Sequence, residues 1–292
     1  MDYKGEHTFI GELGTIFVVV AFAASLLSGI AFFINSLNKQ ESFEKSEWEK
    51  LGITAFYIHG AAVIGILSTL FFMLFNQYFE YHYVWKHSNT SMPTRYIFSC
   101  FWEGQEGSFL LWIFWHVVIG GIILKTAGRW LSPVMSIFNL VQLTLVSMLL
   151  GIYVFGLKIG SDPFILVREL PENINLPWTE HADYLKRYAM FDDGKGLNPL
   201  LQNYWMTIHP PTLFLGFATT LPPFAYALTA LWKKEHFAWL KHAIPWAFVC
   251  VTILGTGVLM GGAWAYEALS FGGFWAWDPV ENASLVPWIM LM

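Results

Sequence analysis

The sequence predicts an all-α membrane protein: a polytopic bundle of transmembrane helices with six complete spans and the start of a seventh. Of its 292 residues, 55% are hydrophobic and only 13% are charged, which is about half the charged fraction of a typical soluble domain. The apolar residues are gathered in runs near or above the roughly 20 residues that a helix needs to cross a bilayer. The runs lack the alternating pattern of a membrane barrel, which leaves helices as the spanning structure.

Six apolar runs are long enough to be complete spans. They cover residues 9–36, 51–78, 108–127, 133–157, 210–232 and 243–266. A seventh run begins near Leu285 and reaches only Met292. Eight residues of helix extend about 12 Å at 1.5 Å per residue, whereas a hydrocarbon core is about 30 Å thick. We therefore expect residues 1–292 to be a single membrane domain that forms the N-terminal part of a larger protein.

The connections between these runs alternate in character. Three are short and basic, at 37–50, 125–132 and 233–242. Three are longer and rich in aromatic or acidic residues, at 79–107, 158–209 and 267–284. Lys and Arg are equally numerous on the two sides, but those of the short connections lie close to span ends, where the positive-inside rule counts them. We therefore expect the N-terminus and the long connections on the outer face, with 158–209 as an outer loop large enough to dock a partner.

Charge and cysteine usage exclude two classes of function. The formal net charge of −5 gives no reason to expect nucleic acid as a partner. Cys100 and Cys250 are far apart, in apolar surroundings, and form neither a CxxC pair nor a CxxCH haem-attachment motif. The protein is therefore not itself a c-type cytochrome, and we expect both cysteines to be buried free thiols.

The stretch Gly261–Trp288 combines aromatic rings, carboxylates and paired glycines. Its aromatic residues are Trp264, Tyr266, Phe271, Phe274, Trp275, Trp277 and Trp288. Gly272 and Gly273 lie among them, as do Glu267, Asp278 and Glu281. Trp and Tyr also gather at membrane interfaces as an aromatic belt. An apolar platform with polar groups at its edge suits a large planar ligand with carboxylate tails. On the residues alone, the belt and the ligand platform are equally good interpretations.

His209 is the second candidate, because it directly precedes Pro210 and Pro211. A residue before proline is pushed out of the helical region, and proline is well tolerated in the first turn of a helix. We therefore expect the fifth span to begin at about Pro210, with His209 extended above it beside the aromatic loop. A neutral imidazole there is a natural iron ligand, although spacing alone favours a histidine that only caps the helix.

The residues 272–288, GGFWAWDPVENASLVPW, resemble the WWD signature of the membrane proteins that handle haem in cytochrome c biogenesis. Their continuation DPVENAS resembles the CcmF-type cytochrome c haem lyases in particular. Two further blocks are similar to that family in the same order: 102–112, WEGQEGSFLLW, and 197–216, LNPLLQNYWMTIHPPTLFLG. Phe271 stands where the family usually has Trp. Glu103 and Gln105 replace Gly and His in the first block, to which we assign no liganding role.

The resemblance implies a cofactor, an activity and partners. The HPP histidine of the family is an axial ligand to haem held at the WWD loop, and this position is His209. Haem would lie on a platform formed by Trp264, Trp275 and Trp277, with Gly272 and Gly273 allowing its close approach. Asp278 and Glu281 would shape the loop, because carboxylates repel haem propionates, and Asn282 would bond within it.

The implied activity is thioether formation between haem and the CxxCH thiols of apocytochrome c, in a bacterial cytoplasmic membrane. The implied partners are apocytochrome c, a haem-delivery chaperone, other maturation subunits and the lipid bilayer. Two alternatives come from other classes: a haem exporter or transfer protein without covalent chemistry, and an unrelated multi-pass transporter with an ordinary aromatic belt. His59 and His116 lie within spans, where we expect neutral imidazoles that bond to neighbouring helices. His82, His87 and His181 are expected to be solvated loop residues.

Overall fold

The structure, a computed structural model, describes residues 3–37, 46–268 and 273–292. Within these ranges six helices are long and apolar enough to cross a membrane, which confirms the all-α membrane fold class. In chain order the helices are α1 Thr8–Leu37, α2 Glu47–Asn76, α3 His82–His87, α4 Thr94–Cys100, α5 Gln105–Thr126, α6 Leu131–Ser147, α7 Tyr184–Arg187, α8 Tyr204–Lys233, α9 Leu240–Ala268 and α10 Pro279–Leu291. One hairpin, β1 Ile152–Val154 with β2 Leu157–Ile159, interrupts them.

The spanning helices pack as a bundle in which α1 lies along α2 and α6, and α8 lies along α9. Helix α8 also contacts α5 and α6, and α10 packs on α9. Large apolar side chains remain exposed on the helices, among them Leu231, Phe248 and Leu259. Exposed apolar surface on this scale is what lipid-facing helices present. The bundle therefore has an apolar core and an apolar outside.

The two ends of the bundle differ. We call the loop end the one that carries residues 79–104, 148–203 and 273–278, of which the first two segments contact each other. For example, Lys195 N–H donates to the Trp85 carbonyl, and Asp193 accepts from Thr90. The basic end carries the opposite connections, where Arg129 pairs with Glu235. The expectation that the long connections share one side is confirmed.

The fourth span ends earlier than expected. The sequence predicted a helix to residue 157, but α6 ends at Ser147 and residues 152–159 form the β1–β2 hairpin. Gly151, Gly156 and Gly160 all have positive φ, at 61°, 80° and 70°. Glycine adopts this conformation without steric cost, and a helix cannot pass through it. The apolar content of 148–157 was therefore misleading.

The predicted start of the fifth span at Pro210 is wrong, because α8 begins at Tyr204. Asn203 caps it, and its side-chain oxygen accepts from the Met206 N–H at 3.3 Å. Pro210 cannot donate to the Met206 carbonyl one turn earlier. The Trp102 indole N–H donates to that carbonyl instead, at 2.7 Å. His209 therefore lies inside the helix, in its second turn, rather than extended above it.

The segment 148–203 has a small core of its own at the loop end. Val167, Leu170, Tyr184 and Phe191 are buried together. Buried Glu6 ties this core to the N-terminal segment, since it accepts from Arg168 and from the Tyr184 hydroxyl. This core is assembled from single residues that are far apart in sequence.

The position of His87 at the loop end differs from the one expected from the sequence. The side chain was expected to be solvated, but it is buried, and its Nδ1 lies 2.6 Å from the Glu103 carboxylate. Both cysteines are buried free thiols, as expected. Burial raises the pKa of the Cys100 thiol to about 12, so this thiol stays protonated and unreactive at neutral pH.

The two histidines within spans bond to neighbouring helices, as expected. His59 Nδ1 lies 2.9 Å from the Ala21 carbonyl of α1. His116 Nδ1 lies 3.1 Å from Gln142 Oε1 of α6. The Gln142 amide nitrogen is 2.8 Å from His59 Nε2 and links the two rings. This polar cluster joins α1, α2, α5 and α6 inside the apolar core.

Two glycines of α5 allow a test of how tightly the loop end is packed. A Cβ on Gly107 would overlap the Phe101 carbonyl and the Tyr83 hydroxyl, whereas a Cβ on Gly121 would meet nothing within 4 Å. Gly107→Ala is expected to lower the free energy of unfolding by about 1–3 kcal/mol, the usual cost of overpacking. Gly121→Ala is the matched control and should be neutral or stabilising by up to about 1 kcal/mol. Intrinsic tryptophan fluorescence during heating measures both; equal melting temperatures for the two variants would contradict this packing.

Candidate functional site

The candidate site lies at the loop end, between the first turns of α8 and the last turns of α9. His209 on α8 faces Gly261 on α9, where a Cβ would come within 2.9 Å of the imidazole Cε1. Lower along the same pair of helices, Gly216 faces Leu254 and Gly257 faces Leu213 at similarly short range. Small residues at these positions let two helices approach closely in a membrane. The imidazole is thereby held against the backbone of the neighbouring helix.

The environment of His209 is aromatic and poor in hydrogen-bond partners. Its ring centroid lies 5.5 Å from that of Trp264, at an interplanar angle of 64°. The Gly257 carbonyl faces the ring, yet the buried Nδ1 makes no hydrogen bond of standard geometry. The buried indole nitrogens of Trp264 and Trp275 also lack partners. Buried polar atoms are nearly always paired in folded proteins, so three such atoms in one region need an explanation.

The aromatic loop folds back over the end of α9. Phe274 stacks on Tyr266 with ring centroids 4.3 Å apart, and its carbonyl lies 3.2 Å from where a Cβ on Gly262 would be. Trp275 and Trp277 pack edge to face at 5.8 Å. Trp277 has a φ of 58° and is 70% exposed. A bulky residue in this left-handed region is uncommon and strained, and here it carries a large ring to the surface.

Three polar residues fix the shape of this loop. Asp278 caps α10, since its side chain accepts from the Glu281 N–H at 2.7 Å. The Glu281 carboxylate accepts from the N–H groups of Ala276 and Trp277 at 2.6 and 2.9 Å. The Asn282 amide donates to the Trp277 and Asp278 carbonyls. This arrangement extends a capping box, and it shows the loop-shaping bonds that were expected of these residues.

The predicted residues fall into two groups. His209 and Trp264 lie together, with Gly273, Trp275, Trp277, Asp278, Glu281 and Asn282 in the neighbouring loop. Gly273 is partly buried next to Phe274, and Gly272 and Phe271 lie outside the described residues. Helix α9 lies between His209 and the loop: Gly261 and Trp264 contact the imidazole, and Gly262 lies against the Phe274 carbonyl. Their participation in ligand binding stays a prediction.

Glu267 is a residue whose position the sequence reasoning did not find. Its carboxylate accepts from the Trp205 indole at 2.7 Å and from the Tyr204 hydroxyl at 3.1 Å. It thus joins the first turn of α8 to the last turn of α9, one turn beyond both His209 and Trp264. The available signal was its spacing of three residues from Trp264, which places both on one face of a helix.

The comparisons with known proteins agree on one family. The model of the cytochrome c assembly protein family matches residues 102–292. The cytochrome c-type biogenesis protein CcmF of Pseudomonas fluorescens is 31% identical over 97% of this chain and 39% of its own length. NrfE of Haemophilus influenzae is 29% identical over 96% of this chain and 40% of its own. A solved structure of the cytochrome c haem lyase CcmF superimposes with a TM-score of 0.73, at 22% identity, over 97% of this chain and 40% of that one.

The chain therefore belongs to the cytochrome c assembly protein family. Within that family it is similar to the CcmF-type biogenesis proteins along nearly its whole length. It spans about two fifths of the length of the curated relatives that it matches. Membership excludes the unrelated transporter that the sequence had left open.

Proposed function

We propose that this chain holds haem at its loop end for cytochrome c maturation, as the haem-binding part of a lyase that forms thioether bonds to apocytochrome c. The observation that carries the proposal is the grouping of three unpaired buried ring nitrogens, those of His209, Trp264 and Trp275, beside an aromatic loop. The family membership supports the same chemistry, because the similar proteins are cytochrome c biogenesis proteins and one is a haem lyase by name. A haem-delivery chaperone and further maturation subunits belong to the same proposal.

His209 would hold the haem iron through an imidazole nitrogen. The Gly257 carbonyl lies beside the His209 ring, and the ring nitrogen that faces it would leave the other nitrogen for the metal. A backbone carbonyl on the far ring nitrogen is the usual outer partner of a metal-bound histidine, since it fixes the tautomer and the ring orientation. The contact between the ring and Gly261 would hold the imidazole plane in place before haem arrives.

Trp264, Trp275 and Trp277 would form the apolar platform for the porphyrin. The unpaired indole N–H groups of Trp264 and Trp275 are donors for the polar edge of such a ligand. Asp278, Glu281 and Asn282 already use their polar groups inside the loop, so they would act on haem only through the loop that they shape.

The bound haem would supply the vinyl groups, across which each substrate thiol adds by forming one carbon–sulfur bond and one carbon–hydrogen bond. Atoms and electrons balance in this addition without an external oxidant or reductant. The role of the chain would be to position the haem for the incoming thiols and to exclude competing reactions, as proteins generally do for cofactor chemistry. Its own cysteines, both buried, do not take part.

The first test is His209→Ala, with His236→Ala as the matched control because His236 is exposed at the basic end. Loss of an iron ligand is expected to shift the Soret band and lower the haem content of protein purified from membranes, whereas the control should behave as wild type. An unchanged Soret position and occupancy in the His209 variant would contradict the assignment. A variant that binds haem normally but fails to mature cytochrome c in cells would leave the lyase step, rather than ligation, as the role of His209, and would also contradict it.

The platform is tested by replacing Trp275 and Trp277 together with Ala. Stacking of a flat ring on an aromatic side chain is worth about 1–3 kcal/mol per contact by analogy with nucleobases, so haem should dissociate at least about tenfold faster. Trp48→Ala is the control, because this half-exposed tryptophan lies at the basic end. Dissociation is measured by transfer of haem to apomyoglobin. Equal rates for the double variant and the control would reduce the loop to an interfacial aromatic belt.

The proposal places the loop end outside a bacterial cytoplasmic membrane, together with the N-terminus. Glu180 at the loop end and Ala238 at the basic end are both exposed. A cysteine at position 180 is expected to react with a membrane-impermeant maleimide added to intact spheroplasts, and one at position 238 only after lysis. Cys100 and Cys250 are fully buried and give no background. The opposite labelling pattern would reverse the orientation.

A further inference from the structure

The β1–β2 hairpin has a geometry that serves neither the bundle core nor the candidate site. Its strands pair Ile152 with Ile159, Tyr153 with Lys158 and Val154 with Leu157. Phe155 and Gly156 form the two-residue turn, with φ values of 49° and 80°. Positive φ at both turn positions defines the tight hairpin whose twist matches its strands.

The two faces of the hairpin differ in chemistry. Directly paired residues share a face and alternate along the strand. One face therefore carries only aliphatic side chains: Ile152, Val154, Leu157 and Ile159. The other carries Tyr153 and Lys158. The aliphatic face is not covered by protein, since Ile152 is 45% and Leu157 73% exposed. A hairpin surrounded by water normally turns its apolar face inward.

The turn of the hairpin also exposes an apolar side chain. Hairpin turns of this type favour Asn, Asp or Gly, which tolerate positive φ. Here a phenylalanine occupies the first turn position and is fully exposed. The backbone accepts a strained conformation and presents a large apolar ring at the tip. Together with the aliphatic face, this makes four exposed apolar side chains, those of Ile152, Val154, Phe155 and Leu157, while Ile159 is partly buried.

The hairpin is fixed at the end of a membrane span. It follows α6 by four residues, and the Ser161 N–H returns to the Met148 carbonyl at 2.9 Å. Gly160 lies against the same carbonyl, where a Cβ would come within 2.5 Å. Three-residue strands extend about 10 Å at 3.3 Å per residue. The polar interface of each leaflet is about 5–7 Å deep, so a hairpin that starts at the hydrocarbon boundary extends beyond this zone by at most a few ångströms.

We propose that the β1–β2 hairpin is a membrane-interface anchor that lies at the boundary between headgroups and acyl chains of the leaflet at the loop end. Phe155 and the aliphatic face enter the acyl region, continuous with the lipid-facing surface of α6, where Leu140 is 63% exposed. Tyr153 and Lys158 face the headgroups, a pairing that suits an amphipathic ring and an ammonium attracted to lipid phosphate. The partner is therefore phospholipid rather than protein.

The test places a nitroxide spin label on Phe155→Cys in the whole protein, reconstituted in nanodiscs of phosphatidylethanolamine and phosphatidylglycerol. Cys100 and Cys250 are fully buried and do not compete for the label. Ile174→Cys is the matched control, because Ile174 is a 58% exposed apolar residue of the 148–203 segment. Power-saturation EPR compares the collision rates of each label with oxygen, which partitions into lipid, and with a water-soluble nickel chelate.

The label at position 155 should collide more often with oxygen than with nickel, and the label at position 174 should show the reverse. A nickel-dominated label at position 155 would overturn the anchor. So would a label that becomes shielded from nickel only when apocytochrome c is added, because the apolar face would then be a protein docking surface. Lys158→Glu in the same nanodiscs should move the position-155 label towards water, and no change on replacing phosphatidylglycerol with phosphatidylcholine would overturn the role of Lys158.

Discussion

The close contact between α8 and α9 determines where the residues of the candidate site lie. We call the line of contact between the two helices the seam. Gly216 of α8 and Gly257 and Gly261 of α9 have no side chain there, so residues of the opposite helix pack directly against their backbone. In lipid there is no hydrophobic gain from joining two apolar helices, and the packing itself supplies the attraction. His209 sits at the end of this seam. A methyl group at position 261 would move the imidazole and with it the edge of the site.

The seam depends on how α8 keeps its helical form through Pro210 and Pro211. A proline in a helix costs a hydrogen bond and leaves a carbonyl without a partner. Inside a membrane protein such a carbonyl must find another donor. The Trp102 indole meets that need at Met206. The Trp115 indole adds a second bond from α5 to α8, since it donates to the Pro211 carbonyl at 3.1 Å. Trp102, in the family-like stretch 102–112, thus stabilises the helix formed by part of the stretch 197–216, although the two stretches are about a hundred residues apart in sequence.

The aromatic loop is rigid at one edge and open at the other. Glu281 and Asn282 anchor it to the start of α10, and Trp288 fixes α10 on α9 through a hydrogen bond to the Val251 carbonyl at 2.8 Å. Trp277, by contrast, stands out into the surroundings. A loop built in this way holds its backbone in place and leaves the Trp277 ring exposed, which is the pre-organisation that the proposed flat ligand would require.

Sequence alone was enough to predict the number and type of the spans, the free thiols, and the residues that carry the family resemblance. These depend on the composition and order of local segments, because a bilayer sorts apolar runs by length alone. The tertiary structure decided the rest. Residues 152–159 form a hairpin instead of continuing the helix, with glycines at positive φ before it, in its turn and after it. His209 is helical because the Trp102 indole replaces the donor that Pro210 lacks. His87 is buried because Glu103, distant from it along the chain, meets it at the loop end. The partners that decide the last two cases, Trp102 and Glu103, lie elsewhere in the chain, and local patterns carry no information about such contacts. The glycines of the hairpin are local signals, which the apolar composition of residues 148–157 outweighed.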